Sequence, residues 1–91
     1  MIRTIKSTKQ FEKDLKKLKK RKYDLKLLEK IIDKLANDER LPEKYRDHTL
    51  SGDYKGFREC HIQPDWLLIY KIEKNILVLT LSRTGTHSDL F

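Results

Sequence analysis

The chain has 91 residues, with 21 Lys+Arg against 14 Asp+Glu and a formal net charge of +7. That length predicts a single domain over residues 1–91, since independent domains rarely fall below roughly 50 residues, and it excludes a large enclosed pocket. The charge points to a polyanionic partner, the lone Cys60 excludes an intrachain disulfide and a thiolate zinc cage, and no apolar run nears the roughly 18 residues of a membrane span.

Residues Ile2 to Lys6 predict a short strand. Ser7 and Gln10 have the spacing of a capping box, which satisfies the first free N–H groups of a helix. Phe11, Leu15 and Leu18 then recur at helical spacing among lysines, giving an amphipathic helix with a narrow apolar stripe. Asp24 is the expected N-cap of a second helix, whose stripe is Leu25, Leu28, Ile31, Ile32 and Leu35. Residues 37–41 end it, and Pro42 prevents its return. The short connection predicts an antiparallel helix pair.

The remainder reads as sheet. Ser51-Gly52-Asp53 is a turn, Lys55 to Ile62 a strand, and Pro64-Asp65 a second turn. Trp66 to Ile72 is nearly all apolar, as expected of a central strand covered by helices. Glu73-Lys74-Asn75 leads into a further strand from Ile76 to Leu81. A polar tail, Arg83 to Phe91, follows. Short connections imply antiparallel neighbours. The expected class is α+β, with two N-terminal antiparallel helices on one face of a small, mainly antiparallel sheet. Lack of an apolar leader and low cysteine content predict a cytoplasmic protein.

Three histidines, His48, His61 and His87, fall in the sheet half. Histidine is the side chain best suited to proton transfer near neutral pH. His61 and Asp65 flank one tight turn, so that carboxylate is expected beside that imidazole. Zinc is a conceivable use of such residues, but no HxH or HxxxH pair anchors a site and no metal or cofactor is expected. Arg83, Arg58 and Lys55 could grip a phosphate, and Trp66 and Phe91 could stack on a base splayed from single-stranded RNA. The run from Lys16 to Lys22 adds six positive charges. Gly52 and Gly56 fit no phosphate-loop pattern, and Cys60 is expected to pack rather than react.

Taken together, the segments 47-DHTLSG-52, 55-KGFRECHIQPDWLLIY-70 and 83-RTGTHSDLF-91 resemble the YafQ branch of the RelE/ParE toxin superfamily. The resemblance implies a bacterial, cytoplasmic toxin of a type II toxin–antitoxin system. It implies a RelE-like fold and metal-independent cleavage of mRNA in the ribosomal A site. It also implies inhibition by a cognate antitoxin, with operator DNA bound only through the toxin–antitoxin complex. Carried over by position, it makes His48, His61, His87 and Asp65 catalytic, and links Arg83, Trp66 and Phe91 to substrate or activity. Glu59 stands where the family often has aspartate. On this basis His61, poised by Asp65, is expected as base and His87 as acid, or the reverse. Two alternatives remain at this point: a non-enzymatic RNA- or partner-binding module, and a ParE-like gyrase inhibitor, which lacks this histidine set.

Overall fold

The computed structural model describes residues 3–91, so Ile2 lies outside the described residues. The elements are β1 (Thr4–Ser7), α1 (Lys9–Lys20), α2 (Leu25–Ala36), β2 (His48–Thr49), β3 (Arg58–Gln63), β4 (Trp66–Glu73), β5 (Val78–Gly85) and α3 (His87–Leu90). Single 3-10 turns at Glu43–Tyr45 and Gly52–Tyr54 flank β2. The strands form one sheet in the order β1-β5-β4-β3-β2. Neighbours are antiparallel except β1 and β5, which run parallel. The fold is α+β, as expected.

The helices form where the apolar spacing places them, and one cap differs. Thr8, not Ser7, is the N-cap of α1, its hydroxyl accepting from the Phe11 N–H at 3.0 Å. Ser7 ends β1 and donates to Glu12 instead. Gln10 bonds Asp14. Asp24 caps α2 as expected, accepting from the Lys26 N–H at 3.1 Å.

Both helices cover one face of the sheet. Phe11, Leu18, Leu28, Ile31 and Leu35 pack there with Cys60, Ile62, Trp66, Leu68, Tyr70, Leu79 and Leu81. Each such buried side chain contributes about 1.5–3 kcal/mol. On the opposite face Leu67 and Ile69 pack with Leu90 of α3, and with Leu50, Tyr54 and Phe57. Cover on both faces explains why β4 is apolar without alternation.

Three strand boundaries depart from the sequence reading. β3 begins at Arg58, because a 3-10 turn and Gly56, at φ +92°, occupy the residues before it. Ile76 and Leu77 belong to the turn before β5: Ile76 is 62% exposed and Leu77 has φ +52°. β5 runs beyond Leu81 to Gly85. There β1 has ended, and side chains of the α1 segment take over the sheet edge. Thr8 Oγ1 donates to the Ser82 carbonyl at 2.8 Å, and the Thr84 N–H donates to Asp14 Oδ2 at 3.1 Å. These contacts satisfy backbone groups that a missing strand would leave unpaired.

Candidate active site

Register brings the three histidines into one row. β2 pairs His48 with Glu59. Glu59 and His61 alternate with Cys60 and Ile62 on β3, so they lie on the face away from the two long helices. His61 pairs with Leu67, and Leu67 pairs with Gly85. At Gly85 the chain turns into α3, and Leu90 packs on Leu67 and Ile69. His87 thereby comes over His61. Ring centroids are 6.3 Å apart for His48 and His61, and 5.8 Å for His61 and His87.

The carboxylates are distributed differently from the expectation. Asp65 does not hold His61. Its Oδ1 accepts from the His87 backbone N–H at 2.9 Å and from His87 Nδ1 at 2.6 Å. The β3–β4 turn aims Asp65 at the start of α3, not back along its own hairpin. Glu59 serves His61 instead. It is buried, and its Oε1 stands 3.6 Å from Nε2 of both His61 and His48. His48 Nδ1 donates to the Arg46 carbonyl at 2.7 Å, which fixes the proton on that nitrogen and presents Nε2 to Glu59. The hydrogen bonds from His87 hold the Asp65 carboxyl below the usual carboxylate range.

A second layer of contacts fixes α3. Thr86 Oγ1 accepts from the Asp89 N–H, and Asp89 Oδ2 accepts from the Thr86 N–H at 3.0 Å, a reciprocal cap. Arg21, from the end of α1, grips the same carboxylate with two donors at 2.7 and 3.2 Å. That pair, with the Thr86 N–H, pushes the Asp89 carboxyl far below its ordinary value. On the other flank Asp47, next to His48, accepts from Tyr70 Oη and from Arg58 Nε and Nη2. Burial and the Asp47 carboxylate push the Tyr70 hydroxyl well up. Burial likewise raises the Cys60 thiol, which packs in the core as expected.

The other expected site residues divide. Phe91 is 66% exposed beside α3, with its ring 5.9 Å from that of Tyr54. It is available for stacking. Trp66 is not. It is 1% exposed, Tyr23 packs edge-on to it at 5.0 Å, and its indole N–H donates to Thr84 Oγ1 at 3.0 Å. It supports the sheet from the helix side. Arg83 is half-buried and paired with buried Asp14, its Nε donating at 2.8 Å. Arg58 is paired with Asp47 rather than left to grip a phosphate. Lys55 is exposed in the loop before β3. Asp14, Asp47, Arg21 and Asp89 have no individual role in the sequence reading. Asp14 alone gave a signal: it is an acid placed between Phe11 and Leu18 on the buried stripe of α1.

Among the described residues no group of three His, Cys, Asp or Glu side chains is gathered to hold a metal ion. Among them, no helix is long and apolar enough to cross a membrane. What the arrangement offers is three imidazoles on an open face, one held by an exposed carboxylate and two sharing a buried one. Those are groups for moving protons on a substrate that lies along a surface, in a chain whose formal net charge of +7 favours a polyanion.

Comparison with known proteins places the chain as a whole. The family described as the bacterial toxin YafQ of type II toxin–antitoxin systems matches residues 3–91, and the chain belongs to that family. The mRNA interferase toxin YafQ of Escherichia coli K12 is 42% identical over 90 residues, covering 98% of this chain and 96% of that one. The crystal structure of a metal-bound toxin from Helicobacter pylori is 52% identical with a TM-score of 0.91, covering all of both chains. The E. coli DinJ–YafQ toxin–antitoxin complex contains a chain 41% identical with a TM-score of 0.90, covering 100% of this chain and 99% of that one.

Proposed function

We propose that this protein is a ribosome-dependent, metal-independent mRNA endoribonuclease that acts in the bacterial cytoplasm and is held inactive by a cognate antitoxin. The observation that carries the reading is the row His48–His61–His87 with Asp65 on His87 and Glu59 between the other two. The E. coli relatives are named mRNA interferases, and one of them is seen in complex with the antitoxin DinJ. Operator DNA would be met only through the toxin–antitoxin complex.

The reaction is a transesterification. The ribose 2′-oxygen forms a bond to the adjacent phosphorus, and the bond from phosphorus to the 5′-oxygen breaks. His61 takes the 2′-OH proton. His87 delivers a proton from Nε2 to the departing 5′-oxygen, because Asp65 occupies its Nδ1. His48 offers Nε2 near the phosphoryl group. Arg83 lends positive charge from its pair with Asp14, and Phe91 stacks on a base. A shallow face suffices if the ribosome holds the message in place, since orientation alone lowers a barrier by about 7–11 kcal/mol at best.

The test adds the purified protein, either untreated or stripped with EDTA and then freed of the chelator, to ribosomes translating a defined mRNA, with naked mRNA alongside. Mapped 5′ ends should appear only on ribosome-bound message, at A-site codons, with both preparations. Equal cutting of naked RNA removes the ribosome from the account. Cutting lost with the stripped preparation removes metal independence. No cutting in any arm removes the nuclease.

A further inference from the structure

An open cleft of about 450 Å3 lies between the Glu43–Tyr45 turn and the far end of β3. It exists because β2 is short. β2 pairs only with Glu59 and Arg58, so from His61 onward no strand covers the outer edge of β3. Leu27 and Ile62 give the cleft an apolar side, and Lys44, Tyr45, Arg46 and Gln63 give it one aromatic ring, an amide and two cations.

We propose that this cleft is the subsite for the nucleobase adjoining the scissile phosphate of single-stranded RNA, a role that rests on the nuclease reading above and extends it. His61 lines the cleft and also stands at the centre of the histidine row, so the two are continuous. The Arg46 carbonyl fixes the His48 ring while the same residue lines the cleft. Arg46 has φ +47°, a left-handed conformation uncommon for a branchless long side chain outside turns, and its N–H is tied to the Glu43 carbonyl at 2.9 Å. The turn therefore ties the cleft to the catalytic row.

The chemistry of the lining fits a nucleotide. Tyr45 is a half-buried ring with Lys44 Nζ 5.1 Å from its centroid, a surface on which a base can stack beside a cation. The exposed Gln63 amide supplies one donor group and one acceptor for a base edge. Lys44 and Arg46 are positive, and no acid lines this cleft. The neighbouring cleft, on the Arg40 and Pro42 side of the turn, contains Glu43 and Asp47 and touches no histidine. Phe91 lies at the His87 end of the row, so one base on Phe91 and the next in the cleft would bracket the phosphate.

The test is a binding experiment that needs no cleavage. Isotope-labelled protein is titrated with four RNA trinucleotides that differ in one flanking base and carry 2′-deoxyribose at the attacking position. The Gln63 side-chain amide and the backbone signals of Lys44, Tyr45 and Arg46 should move on binding. Tyr45→Ala should weaken binding roughly tenfold, the usual scale for losing one stacked base. Gln63→Ala, at an exposed position that leaves the fold intact, should level the preference among the four bases. Signal changes confined to Phe91 and Arg83, unchanged affinity and preference in both variants, or no binding by the unmodified protein would overturn the proposal. Binding in the cleft without any cut on ribosomes would overturn the nuclease reading and leave the cleft standing.

Discussion

Asp65 Oδ1 accepts two hydrogen bonds from a single residue, His87, one from its backbone N–H at 2.9 Å and one from its ring at 2.6 Å. The pair joins the β3–β4 turn to the first residue of α3, two segments 22 positions apart. One carboxylate thus sets both where α3 begins and which ring nitrogen of His87 is left unbonded.

If Asp65 acts through His87, their losses are not additive. His87→Ala should lower cleavage by about 10²-fold or more, the usual size of a general acid contribution. Asp65→Asn should lower it by less. The double variant should be no worse than His87→Ala alone. Single-turnover rates of the three proteins on one message check this. A double variant slower by the product of both losses would mean that Asp65 serves another group.

The Arg21–Asp89 pair anchors α3, so Arg21→Ala should loosen it without touching the imidazoles. Both Asp65 and Asp89 carboxyls lie below their ordinary values in the folded protein. Depressed carboxyls contribute stability that is fully present above the unfolded value of about 3.9 and is lost as pH falls through the folded values. The docking of α3 should therefore survive across pH 5–7, a window of roughly that span lying above both carboxyls, and fail only in strong acid. Side-chain carboxyl titration by NMR should give both midpoints below about 3.9, and Arg21→Ala should raise that of Asp89.

Gly85 is where the chain turns from β5 into α3. Its φ is +154°, and a Cβ there would stand 2.9 Å from Asp89 Oδ2 and 3.0 Å from Asp89 Cβ. Gly85→Ala should cost about 1–3 kcal/mol through backbone strain and displaced α3 contacts. Thermal unfolding measures the first effect. Cleavage should fall by more than the lost stability explains, because His87 moves with α3.

Asp47 gathers the Tyr70 hydroxyl and the Arg58 guanidinium beside His48. Tyr70→Phe removes one donor and should cost about 1 kcal/mol. Asp47→Ala should cost more, about 1–3 kcal/mol, because it leaves a buried hydroxyl unpaired. Melting curves of the two variants order them. Tyr70→Phe less stable than Asp47→Ala would contradict the arrangement.

The elements were legible where a pattern is local. Phe11 and Leu18 at helical spacing, Asp24 before Leu25, and the apolar run from Trp66 all announced what formed. The histidines were legible as residue types. What failed was the long-range pairing. Arg83 and Thr84 look like tail, yet they pair with Ile69 and Leu68 of β4, and Asp14, some 70 positions earlier, binds the Arg83 guanidinium and the Thr84 N–H. Trp66 looks like rim because it follows Asp65, yet Tyr23 and Thr84 enclose it. Asp65 was assigned to His61 by nearness in sequence, and the fold gave it to His87. Glu59 and His61 at period two on one strand did carry a signal for their shared face.

The chemistry of the new RNA ends tests the central claim most directly. Cleaved message from translating ribosomes is digested and its termini identified by mass spectrometry. Acid–base transesterification by His61 and His87 predicts a 2′,3′-cyclic phosphate upstream and a free 5′-hydroxyl downstream, both reduced about 10²-fold or more with His87→Ala. A 3′-hydroxyl opposite a 5′-phosphate would contradict it, since attack by water rather than by the 2′-oxygen would then have broken the chain.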